Sequence, residues 1–249
     1  MRAIARALGL DERRCAHCLA PFSPEDAHAD AFFPLCPSCE KELRPFSGPR
    51  CRLCALPLPG AKKGDAGHAY CPDCRGTIRP WQGIACYGLY QGALRDAILR
   101  LKFDGETAQA PFLAACLIEA AACLPRPDAV VPMPLHPSRL RERGFNQVHE
   151  MTRRLCSATG LQALPALLSR TKAGIAQEKL SADERSRNLR GSFAASARAS
   201  GRTLWLVDDV MTTGSTLDAA CEALRQAGAT AVHVLLAART PLAARRTSP

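Results

Sequence analysis

The chain has 249 residues, 47% hydrophobic and only 5% aromatic, enough for one ordinary α/β domain with an aliphatic core and a small appendage. No apolar run reaches the roughly 20 residues of a membrane span, and Arg6 breaks the apolar N-terminal stretch that a secretion signal needs, so a cytoplasmic protein without a membrane span is expected. The formal net charge of +10, with eleven Lys or Arg against five Asp or Glu between Arg139 and Arg190, suits a polyanionic partner such as pyrophosphate, nucleotide or nucleic acid.

Residues 1–80 are rich in Pro, Gly and charge and lack apolar periodicity, but they hold eight of the thirteen cysteines as four C-x-x-C pairs: Cys15/Cys18, Cys36/Cys39, Cys51/Cys54 and Cys71/Cys74. Two such pairs about 15–20 residues apart have zinc-ribbon spacing, and the arrangement occurs twice in tandem. Local pairing gives one four-thiolate shell from Cys15, Cys18, Cys36 and Cys39 and another from Cys51, Cys54, Cys71 and Cys74. Crossed pairing, such as Cys36/Cys39 with Cys51/Cys54, stays open, as does replacement of a thiolate by His17, His28 or His68. All-cysteine shells leave no open coordination position, so two structural zinc ions are expected. Without a secretion signal, disulfides are the poorer reading.

From Trp81 the composition changes. Gly83–Tyr90 reads as a strand, Ala93–Lys102 as a helix with Leu94, Ala97, Ile98 and Leu101 at helical spacing, and Thr107–Leu124 as a second helix ended by Pro125 and Pro127. Ala129–Met133 is a short strand and Asn146–Ala158 a helix with Val148, Met151 and Leu155 inward. Thr203–Val207 and Thr230–Ala237 are strands on either side of a helix at Ser215–Gln226. This alternation implies a parallel sheet with crossovers. Cys86, Cys116, Cys123, Cys156 and Cys221 fall in these patterns as small core residues. Two segments, Val131–Gln147 and Ser169–Phe193, are too long and polar to be simple connections and read as functional loops.

The most informative stretch is Leu204–Leu217, L-W-L-V-D-D-V-M-T-T-G-S-T-L. Its apolar run suits a strand buried on both faces. Asp208 and Asp209 then sit where that strand ends, the crevice in which open α/β sheets hold ligands. The turn from Thr212 to Thr216 leads into a helix N-terminus, where free amides and the helix dipole favour a phosphate. A phosphate cradle beside two carboxylates matches a phosphorylated sugar whose cis-diol donates to the acids. No G-x-x-x-x-G-K-[ST] and no G-x-G-x-x-G occurs, so neither a P-loop ATPase nor a dinucleotide-binding enzyme has a motif behind it.

This string resembles the phosphoribosyl pyrophosphate signature of type I phosphoribosyltransferases. The resemblance implies that Asp208 and Asp209 grip the ribose hydroxyls and that Thr212, Thr213, Gly214, Ser215 and Thr216 hold the 5′-phosphate. It also implies a pyrophosphate loop and a mobile loop, with Arg139, Arg143, Arg170, Lys172, Arg185 and Arg187 as the candidate pyrophosphate cations and Mg²⁺ bound with the substrate. Together with the zinc-ribbon front, L-K-F-D-G at Leu101–Gly105, V-P-M-P-L-H, R-E-R-G-F-N-Q and the R-T-K…Q…E-R-S-R-N loop, nearly the whole chain is similar to the ComF family (ComFC/GntX-like).

The implied organisation is a double zinc-ribbon module at 1–80 and, at 81–249, an α/β domain of the type I phosphoribosyltransferase fold, a parallel sheet flanked by helices. The implied reaction is displacement of pyrophosphate from phosphoribosyl pyrophosphate by a nitrogen nucleophile, in connection with DNA uptake and natural transformation. The implied partners are single-stranded DNA and a helicase-like competence protein. The alternative is a non-catalytic sensor of phosphoribosyl pyrophosphate or a scaffold that handles single-stranded DNA in competence. The zinc module and Trp81–Gly105 are candidates for the hood over the acceptor, whose identity the sequence leaves open.

Overall fold

The structure, a computed structural model, describes residues 13–23, 34–43, 48–59, 70–171 and 191–241. In the described residues of the N-terminal region, the regular structure is a minimal hairpin of β1 (Arg13–Arg14) and β2 (Pro21–Phe22), a short helix α1 (Pro37–Leu43) and a 3-10 turn at Pro72–Cys74 beside the last cysteine knuckle. The first and third knuckles fold alike. Leu19 N–H donates to Cys15 O at 3.0 Å and Ala55 N–H to Cys51 O at 2.8 Å, with Leu19 and Ala55 both left-handed at φ 63° and 57°. Non-glycine residues rarely adopt that conformation, so each turn needs its surroundings to hold it.

β3 (Gly83–Leu89) opens the central sheet and leads into α2 (Gly92–Leu99). The helix predicted to Lys102 instead widens into a π-helical turn over Arg100–Asp104, closed by Gly105 at φ 68°. That turn keeps Leu101 buried and leaves Phe103 67% exposed. α3 (Gln109–Ala121) is buried over most of its surface, as its small apolar sequence predicts. Cys123, expected in the core, lies exposed in the turn after α3 because the helix stops short of the predicted Leu124.

β4 (Ala129–Pro132) follows, then α4 (Pro137–Arg143) and α5 (Gln147–Thr159). α4 lies inside the segment read as an irregular loop. Its punctuation is plain in retrospect: Pro137 at the first turn, His136 Nδ1 accepting from Ser138 N–H at 3.2 Å, and Gly144 left-handed at the end. β5 (Leu168–Arg170) and β6 (Phe193–Ala195) pair antiparallel at the base of the second long segment.

The chain returns to the sheet with β7 (Thr203–Met211), crosses through α6 (Ser215–Gln226) and ends the described core with β8 (Ala231–Arg239). The sheet order is β3-β8-β7-β4, parallel throughout. α3 and α5 pack on each other and on the sheet, while α6 packs on β8 and the β5–β6 hairpin. Among the described residues no helix is long and apolar enough to cross a membrane.

One boundary departs from expectation in a way that shapes the site. β7 does not end at Val207 but runs to Met211, because β8 continues beside it with Asp208 opposite Leu236 and Met211 opposite Arg239. β4 stops at Pro132, opposite Val207. The last four residues of β7 therefore stand beyond β4, and the acidic pair borders the notch that β4 leaves.

Candidate functional site

Successive strand residues point to opposite faces, so the two aspartates occupy different surroundings. Asp209 is 6% exposed and accepts from Gln147 Nε2 at 2.9 Å. Gln147 in turn accepts from Arg143 Nη1 at 2.7 Å, so a relay runs from an α4 cation through the first residue of α5 to the acid. Asn146 fixes that helix start: its Oδ1 accepts from Val148 N–H at 2.9 Å and its Nδ2 donates to Met133 O at 3.0 Å, pinning α5 to the end of β4. Asp208 is half-buried. Burial and then the neighbouring negative charge of Asp209 hold its carboxyl well above the usual carboxylate range, against a smaller opposing pull from Lys102.

The turn between β7 and α6 has the features of an anion cradle. Gly214 is left-handed at φ 92°, and a side chain there would run into Met211 Cε and approach Arg79 Nη1 to 3.2 Å. Only glycine fits. Gly214 is also the N-cap of the twelve-residue α6 and supplies no side-chain cap to its first amides. Thr213 Oγ1 and Ser215 Oγ lie 3.1 Å apart at the lip of the turn, Thr212 is exposed, and Thr216 is half-buried.

Two arginines that the sequence reading passed over brace this turn from behind. Arg79, stacked 5.3 Å from the Trp81 ring, pairs with Asp218 in the first turn of α6 and donates to Thr213 O at 3.2 Å. Arg239, at the end of β8, donates through Nη1 to Met211 O at 2.6 Å and to Thr212 O. Between them they hold the carbonyls of Met211, Thr212 and Thr213, while the Ser215 N–H donates to Thr213 Oγ1 at 3.4 Å.

Of the predicted pyrophosphate cations, three are described and they share one neighbourhood. Arg170, on β5, feels the charges of Arg139 and Asp208, and Arg143 feels those of Asp209 and Arg139. Burial and then the Arg139 charge lower the Arg170 pKa; burial also lowers that of Arg143. Arg170 Nε is buried without a partner among the described residues. Lys172, Arg185 and Arg187 lie outside the described residues. Beside this cluster Phe103 presents its ring, with Lys102 Nζ at 5.6 Å and the Arg143 guanidinium at 5.3 Å from its centroid.

The cysteines gather in the local pairing. Cys15, Cys18, Cys36 and Cys39 form one group and Cys51, Cys54, Cys71 and Cys74 the other, the sulfurs of each lying within 4.8 Å of one another. Cys18 Sγ is 3.7 Å from Cys36 Sγ, and Cys54 Sγ is 3.6 Å from Cys71 Sγ. Tetrahedral bonds of about 2.3 Å from zinc to sulfur would set ligand sulfurs about 3.8 Å apart, so donor type and spacing both fit that ion. His17 belongs to neither group; its buried ring lies 6.0 Å from that of Phe112. His28 and His68 lie outside the described residues.

A phosphoribosyl transferase domain model matches residues 146–247. Competence protein F of Haemophilus influenzae is 30% identical over 230 residues, covering 89% of this chain and 94% of that protein. The DNA utilization protein YhgH of Escherichia coli K12 is 34% identical over 157 residues, 61% of this chain and 69% of that protein. Competence protein ComFC of Streptococcus pneumoniae is 32% identical over 140 residues, 56% of this chain and 60% of that protein. Among solved structures, the allosteric regulatory enzyme of purine biosynthesis is 22% identical over 51% of this chain and 25% of that one, with a TM-score of 0.34, a likeness too slight to build on. The near full-length match to Competence protein F, joined to the transferase domain, makes this chain a member of the ComF family of phosphoribosyltransferase-like proteins.

Proposed function

We propose that the chain binds phosphoribosyl pyrophosphate with Mg²⁺ and transfers its phosphoribosyl group to a nitrogen nucleophile, releasing pyrophosphate, in the service of DNA uptake. The observation that carries this reading is the juxtaposition of the helix N-terminus that begins at Gly214 with two carboxylates at the projecting end of β7. Amides of the turn would take the 5′-phosphate, and Asp208 and Asp209 would accept hydrogen bonds from the ribose hydroxyls. As the bond from C1 to pyrophosphate breaks, positive charge grows on the ribose and negative charge on the leaving group. The acids answer the first, and Arg139, Arg143 and Arg170 the second. Mg²⁺, when bound with the substrate, supplies Lewis-acid polarisation of the leaving group. No protein nucleophile is needed; orientation and charge do the chemistry. Zinc at both cysteine clusters is part of the same reading, as is a boundary near residue 80 between zinc module and transferase-like domain.

Isothermal titration with phosphoribosyl pyrophosphate and Mg²⁺ tests it. The expected result is saturable, Mg²⁺-dependent binding that is lost in an Asp208→Asn, Asp209→Asn variant, followed by pyrophosphate release with the right acceptor. No binding by the zinc-loaded protein would end the proposal. A second reading, a scaffold that handles single-stranded DNA, draws on the exposed Phe103 ring between Lys102 and Arg143, a cation-flanked surface that suits an unpaired base. Salt-dependent binding of single strands without turnover favours it.

A further inference from the structure

Arg239 is 0% exposed, an unusual place for a guanidinium. Its Nε donates to Cys54 O at 3.0 Å, and its Nη1 to Met211 O, Thr212 O and, at 3.3 Å, Thr240 O. Every one of these acceptors is a neutral carbonyl. Nη2 has no partner, and no carboxylate pairs with Arg239 among the described residues. A buried cation without a counter-charge costs several kcal/mol. Yet one of its carbonyl partners belongs to a member of the second cysteine cluster, all four of whose residues are buried. Four thiolates around a divalent ion would leave that centre doubly negative, a compensating charge one residue's backbone away from the Arg239 guanidinium.

We infer that the metal centre at Cys51, Cys54, Cys71 and Cys74 is the counter-ion of Arg239, and that through this arginine it sets the shape of the Thr212–Thr216 turn. This rests on the reading of that turn as a phosphate cradle. It makes Arg239 a positioning residue that touches no substrate. With the centre filled, the guanidinium stays charged, buried and forked across Cys54 O, Met211 O and Thr212 O. With the centre empty or less negative, the buried charge loses its compensation and Thr212 O loses its donor, while Met211 O keeps only the Thr240 N–H at 3.0 Å. Linkage then works both ways: metal favours the phosphate-binding turn, and a bound phosphate favours retention of the metal.

The test uses the full chain loaded with ¹¹³Cd²⁺, whose two sites give separate resonances, so that release to a chelator is followed site by site. Arg239→Met is expected to speed release from the second site about five-fold or more while leaving the first unchanged. Arg239→Lys, which keeps the charge but loses the fork, is expected to retain metal like wild type and yet bind ribose 5-phosphate more weakly. Equal metal retention in wild type and Arg239→Met overturns the inference. So does equal loss in Arg239→Met and Arg239→Lys, which would mark a packing role.

In wild type, ribose 5-phosphate should slow release from the second site only; binding without that effect also overturns the coupling. Cys74→His keeps a tetrahedral site while removing one thiolate charge. It is expected to weaken ribose 5-phosphate binding in wild type but not in Arg239→Met; an equal effect in both counts against the coupling. If ribose 5-phosphate does not bind the loaded wild type at all, the phosphate-cradle reading fails, and the release rates of Arg239→Met against wild type still decide the counter-ion role.

Discussion

The two cysteine clusters have the same ligand type and nearly the same spacing, yet they are wired to different parts of the molecule. The first reaches the sheet-bearing part of the chain through His17 O, which accepts from Arg100 Nη1 and Gln109 Nε2, each at 3.3 Å, where the π-helical turn and α3 begin. Its Cys18 is exposed. The second is buried at all four positions and is flanked by Arg50, which donates to Ala55 O at 3.2 Å and Tyr87 O at 3.0 Å, and by Arg239. One cluster therefore supports the region beside Phe103, and the other stands behind the turn at Gly214. Metal chemistry alone does not fix a site's role; the hydrogen bonds leaving its knuckle carbonyls do.

The largest effect expected from this difference is on stability. Cys54→Ser should lower stability by at least about 4 kcal/mol, a fall in Tm on the order of 10 °C, whereas Cys18→Ser, at an exposed ligand, should cost less than half as much. Thermal unfolding with metal content measured in parallel checks this, and equal losses would erase the contrast. Next in size is Gly214→Ala. A methyl group against Met211 Cε on a left-handed residue should displace the turn and weaken ribose 5-phosphate binding by at least about ten-fold, for a backbone and contact cost of order 1–3 kcal/mol. Metal retention at the first cluster should not change, which calorimetry and metal release together would read.

A smaller effect concerns protons. In the metal-free second cluster the Cys54 thiol, donating to Cys51, holds the Cys51 pKa down to about 4, while burial pushes Cys74 up to about 12 and the Cys51 thiolate, with burial, drives Cys54 up. Metal binding at neutral pH must therefore expel protons from Cys54 and Cys74. Apparent metal affinity should fall as pH is lowered from 8 to 6, as competition with a chelator would show. The least effect is expected from Asp208→Asn. Because the folded protein holds the Asp208 proton more tightly than the unfolded chain does, this acid stabilises below its unfolded pKa of about 4 and loses that contribution as pH rises through its raised folded value. The amide should thus raise Tm at pH 8 and leave it unchanged near pH 3, without altering metal retention at either cluster.

Much of this architecture was readable in the residue order. The strand at Gly83, the helix at Ser215–Gln226 and the partition of eight cysteines into two neighbouring groups follow from local spacing and local turns. What escaped depends on partners distant in sequence. The length of β7 is set by β8 continuing alongside it, which no pattern within Leu204–Val207 reveals. Arg239 follows eight residues, A-V-H-V-L-L-A-A, and looks like the solvated end of an apolar strand; only the fold puts Cys54 against it. Arg79 lies 134 residues from Thr213, at the end of the stretch assigned from its cysteines to the zinc-ribbon module. Helix α4 was hidden by its polarity, though Pro137 and Gly144 mark its ends. Gln147 stood in plain sight within R-E-R-G-F-N-Q, but its bond to Asp209 spans 62 residues.

The bond from Arg239 to Cys54 joins residues 185 apart. Contacts of such separation form late, after local turns and after the intervening chain has been made. The knuckles at Cys51 and Cys71 are synthesised long before β8, so a metal bound there, as proposed, would be captured before Arg239 arrives. Assembly is thus vectorial: the N-terminal clusters mature first, the sheet closes around them, and the turn at Gly214 takes its final form only when the last strand docks. On the proposed reading, a nascent chain stalled before residue 239 would hold metal at its cysteines while the turn at Gly214 still lacked the donor to Thr212 O.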